Sequence, residues 1–500
     1  MQKHYLVGID IGTSAAKAAL FEKASGNRAL CVTSVGYPVF YPQPSFVEQN
    51  PDDWWRAAAA AVRELIEKSG IDAREIAGVG IDGQSWAAVM VDAEGNVICP
   101  TPIWADTRSA AICERLNAAY GEERFLSLTK NPLQAGYTFP KILWYKERFP
   151  DIYRRTAAVL QSNGYIAYRL TGVLSHDRSQ ANSLAVFDME KGVWDEDFCR
   201  ELGVRPDMLP PLFDPDEIVG TVTAAGAAAT GLAVGTPVVA GGLDTACDAL
   251  GAGVVHPGET QEQGGQSGGM SICTDFPVRN DKLVSCRHVV KGRFLLQGGT
   301  VGGGALLRWF NGTFGALAEG DAAYAEDDRA AALVPPGADG LVLLPYFAGE
   351  RSPVWDPMAK GVYYGVDYQK SRAHFVRANL EAAAYALRHN LEAAAESGVR
   401  VTVMRASGGA AKSPLWTQIK ADVTGCPIEV PEAFSTAAFG AATLAGVATG
   451  VFADYEEAAK GIRVTRRHEP DADKKAVYDR TYTLYRALYR QLAPLMHGKD

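Results

Sequence analysis

An acid in the middle of an apolar strand, followed at once by a tight polar turn, constrains this chain more than any other feature. Residues 6–21 run Leu-Val-Gly-Ile-Asp-Ile-Gly-Thr-Ser-Ala-Ala-Lys-Ala-Ala-Leu-Phe. The pattern predicts a strand carrying Asp10, a Gly12-Thr13-Ser14 turn, and a second strand carrying Lys17. A carboxylate inside an apolar strand is costly unless something pairs with it. Mg²⁺ or a reacting phosphoryl group would be such a partner. Gly12 lets a ligand approach the backbone, and the Thr13 and Ser14 hydroxyls and turn N–H groups suit phosphate oxygens. A hairpin with a merely polar tip is the alternative for this segment taken alone.

Two other nucleotide motifs are excluded. Residues 406–413, Ala-Ser-Gly-Gly-Ala-Ala-Lys-Ser, are the nearest approach to G-x-x-x-x-G-K-[ST] and lack both required glycines. Gly78-Val79-Gly80-Ile81-Asp82-Gly83 fits G-x-G-x-x-G. That fingerprint must open a helix, whereas residues 84–92 read as another strand, so the match is set aside as chance.

The 500 residues predict two domains of ordinary size. A composition of 47% apolar and 21% charged residues is that of a globular protein. The net charge of −9, without a basic block, argues against nucleic acid and an anionic membrane surface as partners. No signal-peptide core and no long uncharged apolar run are evident. The eight cysteines are scattered without a C-x-x-C, which fits a reducing cytoplasm. The eight histidines show no metal-ligand spacing.

The first quarter alternates strands (5–11, 15–21, 29–36, 76–82, 87–91) with a helix that Asn50-Pro51 opens and Gly70 ends. This predicts an α/β architecture. Residues 109–210 read as more helical and aromatic. A second, similar block begins near residue 237. Residues 237–244 predict a buried strand ending in glycines and Asp244, and Gly264-Gly265-Gln266-Ser267-Gly268 echoes the first turn. Two such turns, one per half, suggest two related domains facing one nucleotide. Ser371 to Ser397 predicts a long helix. A strand over 401–406 running into Ser407-Gly408-Gly409-Ala410 would let a flat ligand reach the backbone.

These motifs together resemble the FGGY carbohydrate kinases over nearly the whole chain, and within them the branch that acts on xylulose. Gly8-Ile9-Asp10-Ile11-Gly12-Thr13-Ser14 is similar to the family's opening phosphate loop, and residues 48–55 to its helix entry. Residues 103–108, Ile-Trp-Ala-Asp-Thr-Arg, are similar to its sugar-contacting strand. Residues 136–144 resemble its first signature, and residues 361–366 with His374-Phe375 and Leu380-Glu381 its second. Residues 344–353 are especially like the xylulose branch.

The resemblance implies two actin-like (ribonuclease-H-like) α/β domains about a deep cleft, 1–243 for the sugar and 244–500 for the nucleotide. It implies ATP and Mg²⁺, a small sugar as acceptor, and leaves a homodimer open. It makes Asp244 the catalytic base and Asp10 the residue that orients Mg²⁺. Gly12, Thr13, Ser14, Lys17, Gly265, Gln266, Ser267 and Gly304 are then expected around the phosphates, Gly408, Gly409 and Ala410 around the adenosine. Gln84, Ser85, Trp86, Trp104 and Asp106, with Asp244, would form the sugar pocket.

That pocket departs from the family pattern. The branch usually carries Gly-Gln-Met-His-Gly where this chain has Gly83-Gln84-Ser85-Trp86-Ala87. An indole donates one hydrogen bond and accepts none. D-xylulose is the expected substrate; another ketose, a deoxy sugar or a polyol is the alternative. An actin-like ATPase switch acting without a sugar is the reading from a different class.

Overall fold

The computed structural model describes residues 4–318, 320–432 and 435–498. Its two large sheets have seven strands each. Across the first lie Ile218–Thr221, Pro237–Val239, Ile76–Gly83, Tyr5–Ile11, Ala15–Glu22 and Cys31–Gly36, with Gly242–Leu243 also beside Ile76–Gly83. Across the second lie Val284–Arg287, Phe294–Thr300, Gly268–Thr274, Glu259–Gly264, Val403–Ser407, Ile428–Pro431 and Val464–His468.

The sheets share one plan. Tyr5–Ile11 turns back antiparallel into Ala15–Glu22 and on its other edge takes the parallel strand Ile76–Gly83. Glu259–Gly264 does the same with Gly268–Thr274 and Val403–Ser407. The register matches too: Asp10 lies opposite Asp82, and Gln263 opposite Ser407. Ile76–Gly83 is buried at every position, as a strand covered on both faces must be.

Helix Pro51–Ser69 begins where the sequence places it. The Asn50 side chain accepts the Asp52 N–H, Pro51 sits at the first turn, and Gly70 closes the helix. Its Trp54, Ala58, Val62 and Leu65 pack on one face of the first sheet with Val7, Ile9 and Ile81. The opposite face is covered by a helix from far along the chain, Thr436–Ala448. This helix is buried on nearly every side because it also touches helix Asp244–Gly251. Glycines make the approach possible. A Cβ on Gly8 would lie 1.8 Å from the Ala438 carbonyl oxygen, one on Gly80 1.8 Å from that of Ala441, and one on Gly440 1.9 Å from that of Cys247.

Two sequence expectations shift. The strand expected over 237–244 is interrupted. Gly241, at φ +74°, breaks it into Pro237–Val239 and Gly242–Leu243, and Asp244 is the first residue of a helix rather than the end of a strand. The helical middle is present as Ala110–Tyr120, Glu122–Thr129, Thr138–Arg148, Pro150–Arg155 and Ser162–Thr171, much of it around a separate core that includes Phe125, Phe139 and Phe198. No described helix is long and apolar enough to cross a membrane.

Candidate active site

A cavity of about 380 Å³ lies where the two sheets and the two touching helices meet. The first sheet contributes Asp10, Gly12 and Lys17, and helix Asp244–Gly251 contributes Asp244, Thr245 and Asp248. The second sheet and its turns contribute Gln263, Gly265, Ser407 and Gly408, and the N-terminal end of the long buried helix contributes Thr436.

Lys17 stands opposite Asp10 across the hairpin and donates to its Oδ2 at 3.1 Å. The Asp10 charge holds the Lys17 ammonium above its usual range. Asp244 faces the same space. Its Oδ1 accepts the Thr245 N–H at 2.7 Å. Burial, reinforced by the Asp10 charge, pushes its carboxyl up to about 7. Asp248, one helical turn on, is held by three donors: Gln261 Nε2 and Ser407 Oγ to Oδ2, and Thr436 Oγ1 to Oδ1. It thereby ties the helix carrying Asp244 to the second sheet and to the start of the long buried helix.

The glycine turns pack on each other. Gly408, at φ +78°, leaves no room for a side chain, since a Cβ would lie 2.7 Å from the Gly264 carbonyl oxygen. Gly304 opens a helix whose first N–H donates to the Gly265 carbonyl, and Ala305 N–H donates to that of Gln266. Of the expected nucleotide residues, Asp10, Gly12, Lys17, Gly265 and Gly408 line the cavity. Others are engaged elsewhere. The Gln266 side-chain oxygen accepts from Arg308, and the Ala410 methyl sits in a core with Trp416 and Ile419. Thr13 and Ser14 lie at the hairpin tip, Ser267 in the second turn, and Gly409 is exposed.

The expected sugar residues form a neighbouring network. Gln84 Nε2 donates to Gln49 Oε1 at 2.7 Å, and Gln49 Nε2 donates to the Thr13 carbonyl. Trp104, in the turn after strand Thr101–Pro102 and not in the strand expected over 103–108, donates its indole N–H to Thr13 Oγ1 at 3.0 Å, which joins that turn to the phosphate turn. Ser85 leads into Trp86, whose backbone is left-handed at φ +63°. Fully buried Lys141 pins this turn, donating to the carbonyls of Trp86, Ile103 and Gly136 at 2.6–2.9 Å. Burial pushes its ammonium down to about 7. The Trp86 indole meets Tyr137 edge-on, with ring centroids 4.7 Å apart. Trp86 Nε1, Tyr137 Oη and Gln84 Oε1 are buried without a protein partner, which leaves two possible donors and an acceptor unspent.

Asp106, expected in the sugar pocket, accepts from the Val47 N–H, the Arg108 N–H and the Arg108 guanidinium. Arg108 is itself stacked on Phe46 and also reaches Glu48. Asp106 is a fully buried, fully satisfied anchor.

Sequence reasoning missed Asp248 and Asp82. The four-residue step from Asp244 to Asp248 puts both acids on one helix face, a signal that could have found the first. For the second, Val79-Gly80-Ile81-Asp82 repeats Val7-Gly8-Ile9-Asp10 residue for residue, and the two segments pair in that register. Among the described residues no group of three or more His, Cys, Asp and Glu is placed to hold a metal. Mg²⁺ needs fewer, because it keeps waters and phosphate oxygens among its ligands. Asp10 on the cavity wall and the unpartnered oxygens of Asp82 fit such an ion.

Two lobes of one plan gather carboxylates and glycine turns at their join, an arrangement suited to the phosphates of a nucleotide. The N-terminal domain model of the FGGY family of carbohydrate kinases matches residues 5–251, and the C-terminal domain model matches residues 269–449. The chain belongs to that family. It is 33% identical to the xylulose kinase of Bacillus subtilis strain 168 over 99% of this chain and 97% of the relative. It is 31% identical to the xylulose kinase of Escherichia coli K12 over 98% and 99% of the two chains. The crystal structure of xylulose kinase from Rhodospirillum rubrum superposes with a TM-score of 0.90, at 31% identity, over 99% of this chain and all of that one. The protein is thus an ATP-dependent carbohydrate kinase with the two-lobed α/β fold its sequence implies.

Proposed function

We propose that this enzyme phosphorylates the terminal hydroxyl of D-xylulose, giving D-xylulose 5-phosphate, in the cytoplasm and with Mg²⁺ accompanying ATP. The single observation that carries the reading is the position of Asp244. It stands at a helix start, on a cavity wall shared by both lobes, with its carboxyl raised to about 7. The name of the full-length relatives supplies the sugar, and eight unpaired cysteines agree with a reducing compartment.

A sugar hydroxyl is a poor nucleophile. A carboxylate within hydrogen-bond reach takes its proton as the bond to phosphorus forms, and a raised pKa makes that carboxylate a stronger base near neutral pH. Lys17, the turn N–H groups and the amino end of the Thr436–Ala448 helix offer positive potential to the phosphates. Mg²⁺, when bound, neutralises phosphate charge; Asp10 would orient it, and Asp82 lies beside Asp10. Gln84 Oε1, Trp86 Nε1 and Tyr137 Oη are free to meet sugar hydroxyls.

A coupled ADP-release screen over D-xylulose, L-xylulose, D-ribulose, L-fuculose, gluconate and glycerol tests the reading. D-xylulose should give the highest kcat/KM, and ADP release without any sugar should be at background. A different sugar in first place overturns the substrate; sugar-independent turnover overturns the kinase mechanism. Trp86 is the observation that favours another acceptor, since it offers only a donor where the family pattern has an imidazole that can also accept.

A further inference from the structure

We propose that Asp82 is a second carboxylate for a divalent cation of the Mg²⁺ class, bound jointly with Asp10, which lines the cavity. The inference rests on the reading of Asp10 given above and extends it to a residue outside the expected site.

Parallel pairing puts Asp10 and Asp82 side by side on one face of the sheet. Asp82 is fully buried, and neither of its oxygens has a hydrogen-bond partner. The parallel register sets its carboxyl beside that of Asp10, and neither of its oxygens receives a hydrogen bond. Lys17 is the nearby cation. It is spent on Asp10 Oδ2 and is half exposed. The strand position on the other side of Asp82 is Gly242, which has no side chain. Asp244 adds a further negative charge.

A buried carboxylate without a partner is strongly disfavoured, and two adjacent ones more so. Burial and the Asp10 and Asp244 charges accordingly drive the Asp82 carboxyl well above its ordinary range. A small hard cation relieves both acids at once, and carboxylate oxygen is its preferred ligand. The Asp82 oxygens have no hydrogen-bond donor, which is why this pair, and not the three-donor Asp248, points to a ligand.

The test reads metal binding directly. Mn²⁺ is titrated into the full chain, with and without ADP, and free Mn²⁺ is followed by electron paramagnetic resonance. Wild type, Asp10→Asn and Asp82→Asn are compared, with thermal melting to confirm folding; Asp82→Ser replaces Asp82→Asn if the latter does not fold. Asp82→Asn should raise the Mn²⁺ dissociation constant at least tenfold, as Asp10→Asn does. If Asp10→Asn loses Mn²⁺ while Asp82→Asn and Asp82→Ser bind within twofold of wild type, Asp82 is not a ligand, and a proton shared with Asp10 is the relief instead. If none of the variants changes Mn²⁺ binding, the reading of Asp10 falls and this inference with it.

Discussion

Replacing Gly80 by Ala should drive helix Thr436–Ala448 off the first sheet. A Cβ at residue 80 would lie 1.8 Å from the Ala441 carbonyl oxygen, where real Cβ atoms stay beyond 3.0 Å, so strand and helix must part by about 1.2 Å. The obstructing atom is backbone, with no rotamer to move it aside. Overpacking a well-filled core costs about 1–3 kcal/mol, and this site belongs at the upper end. In a domain of this size about 3 kcal/mol corresponds to roughly 6–12 °C of melting temperature. Parting the surfaces also loosens Gly8 against Ala438 and moves Thr436 away from Asp248, so kcat should fall along with stability. Differential scanning fluorimetry and steady-state kinetics measure both. Gly312→Ala is the control: residue 312 is exposed in a helix with nothing within 4 Å of a new Cβ, and alanine there should be neutral or slightly stabilising. Gly8→Ala should behave like Gly80→Ala, and the double variant should cost less than the sum, because one displacement serves both. A Gly80→Ala protein that melts within 1 °C of wild type with unchanged kcat would refute the tight contact (about 1 kcal/mol shifts Tm by several degrees in domains of this kind).

Asp244→Asn should lower kcat by about 10²–10⁴-fold while ATP affinity, read by calorimetry, holds, as expected for loss of a general base; a loss below tenfold would remove Asp244 from that role. For the same reason kcat/KM should rise with pH and level off above about 7, because only the ionised carboxylate accepts a proton and the Asp244 carboxyl is raised to about 7; a profile flat from pH 5.5 to 8 would contradict it. Trp86→His should shift the ratio of kcat/KM between sugars toward D-xylulose by about 1–3 kcal/mol if an acceptor is regained, with ATP affinity unchanged, and an unaltered sugar ranking would show that the indole does not set specificity.

Much of the architecture is legible in the sequence because local rules decide it. The Asn50-Pro51 start and Gly70 stop of a helix, the two glycine turns, and the strand–glycine–helix join at 403–409 are each fixed by residues within a few positions. What escapes is non-local. The Thr436–Ala448 segment is apolar all round because the first sheet and helix Asp244–Gly251 enclose it, so no face-by-face periodicity could say which sheet it covers. Asp106 and Asp10 both sit beside apolar residues, yet Arg108 satisfies Asp106 from two positions away, and only the fold shows that nothing comparable serves Asp82. Asp82 was hidden for a further reason. The glycines around it fit a motif that fails for want of a helix, whereas Gly78 and Gly80 let Ala445 and Ala441 come close and Gly83 makes room for Ser162.

The matched register of the two sheets carries one more consequence. The same corner occurs twice, a hairpin strand beside a parallel strand, ending at a glycine turn. In the first lobe the facing pair is Asp10 with Asp82, and in the second it is Gln263 with Ser407. A duplicated scaffold has therefore been made chemically unequal. An anion entering between the lobes meets the Asp10–Asp82 carboxylates with Lys17 beside them on one side, and neutral hydrogen-bonding groups on the other. That inequality gives the cavity a polarity that its geometry alone lacks.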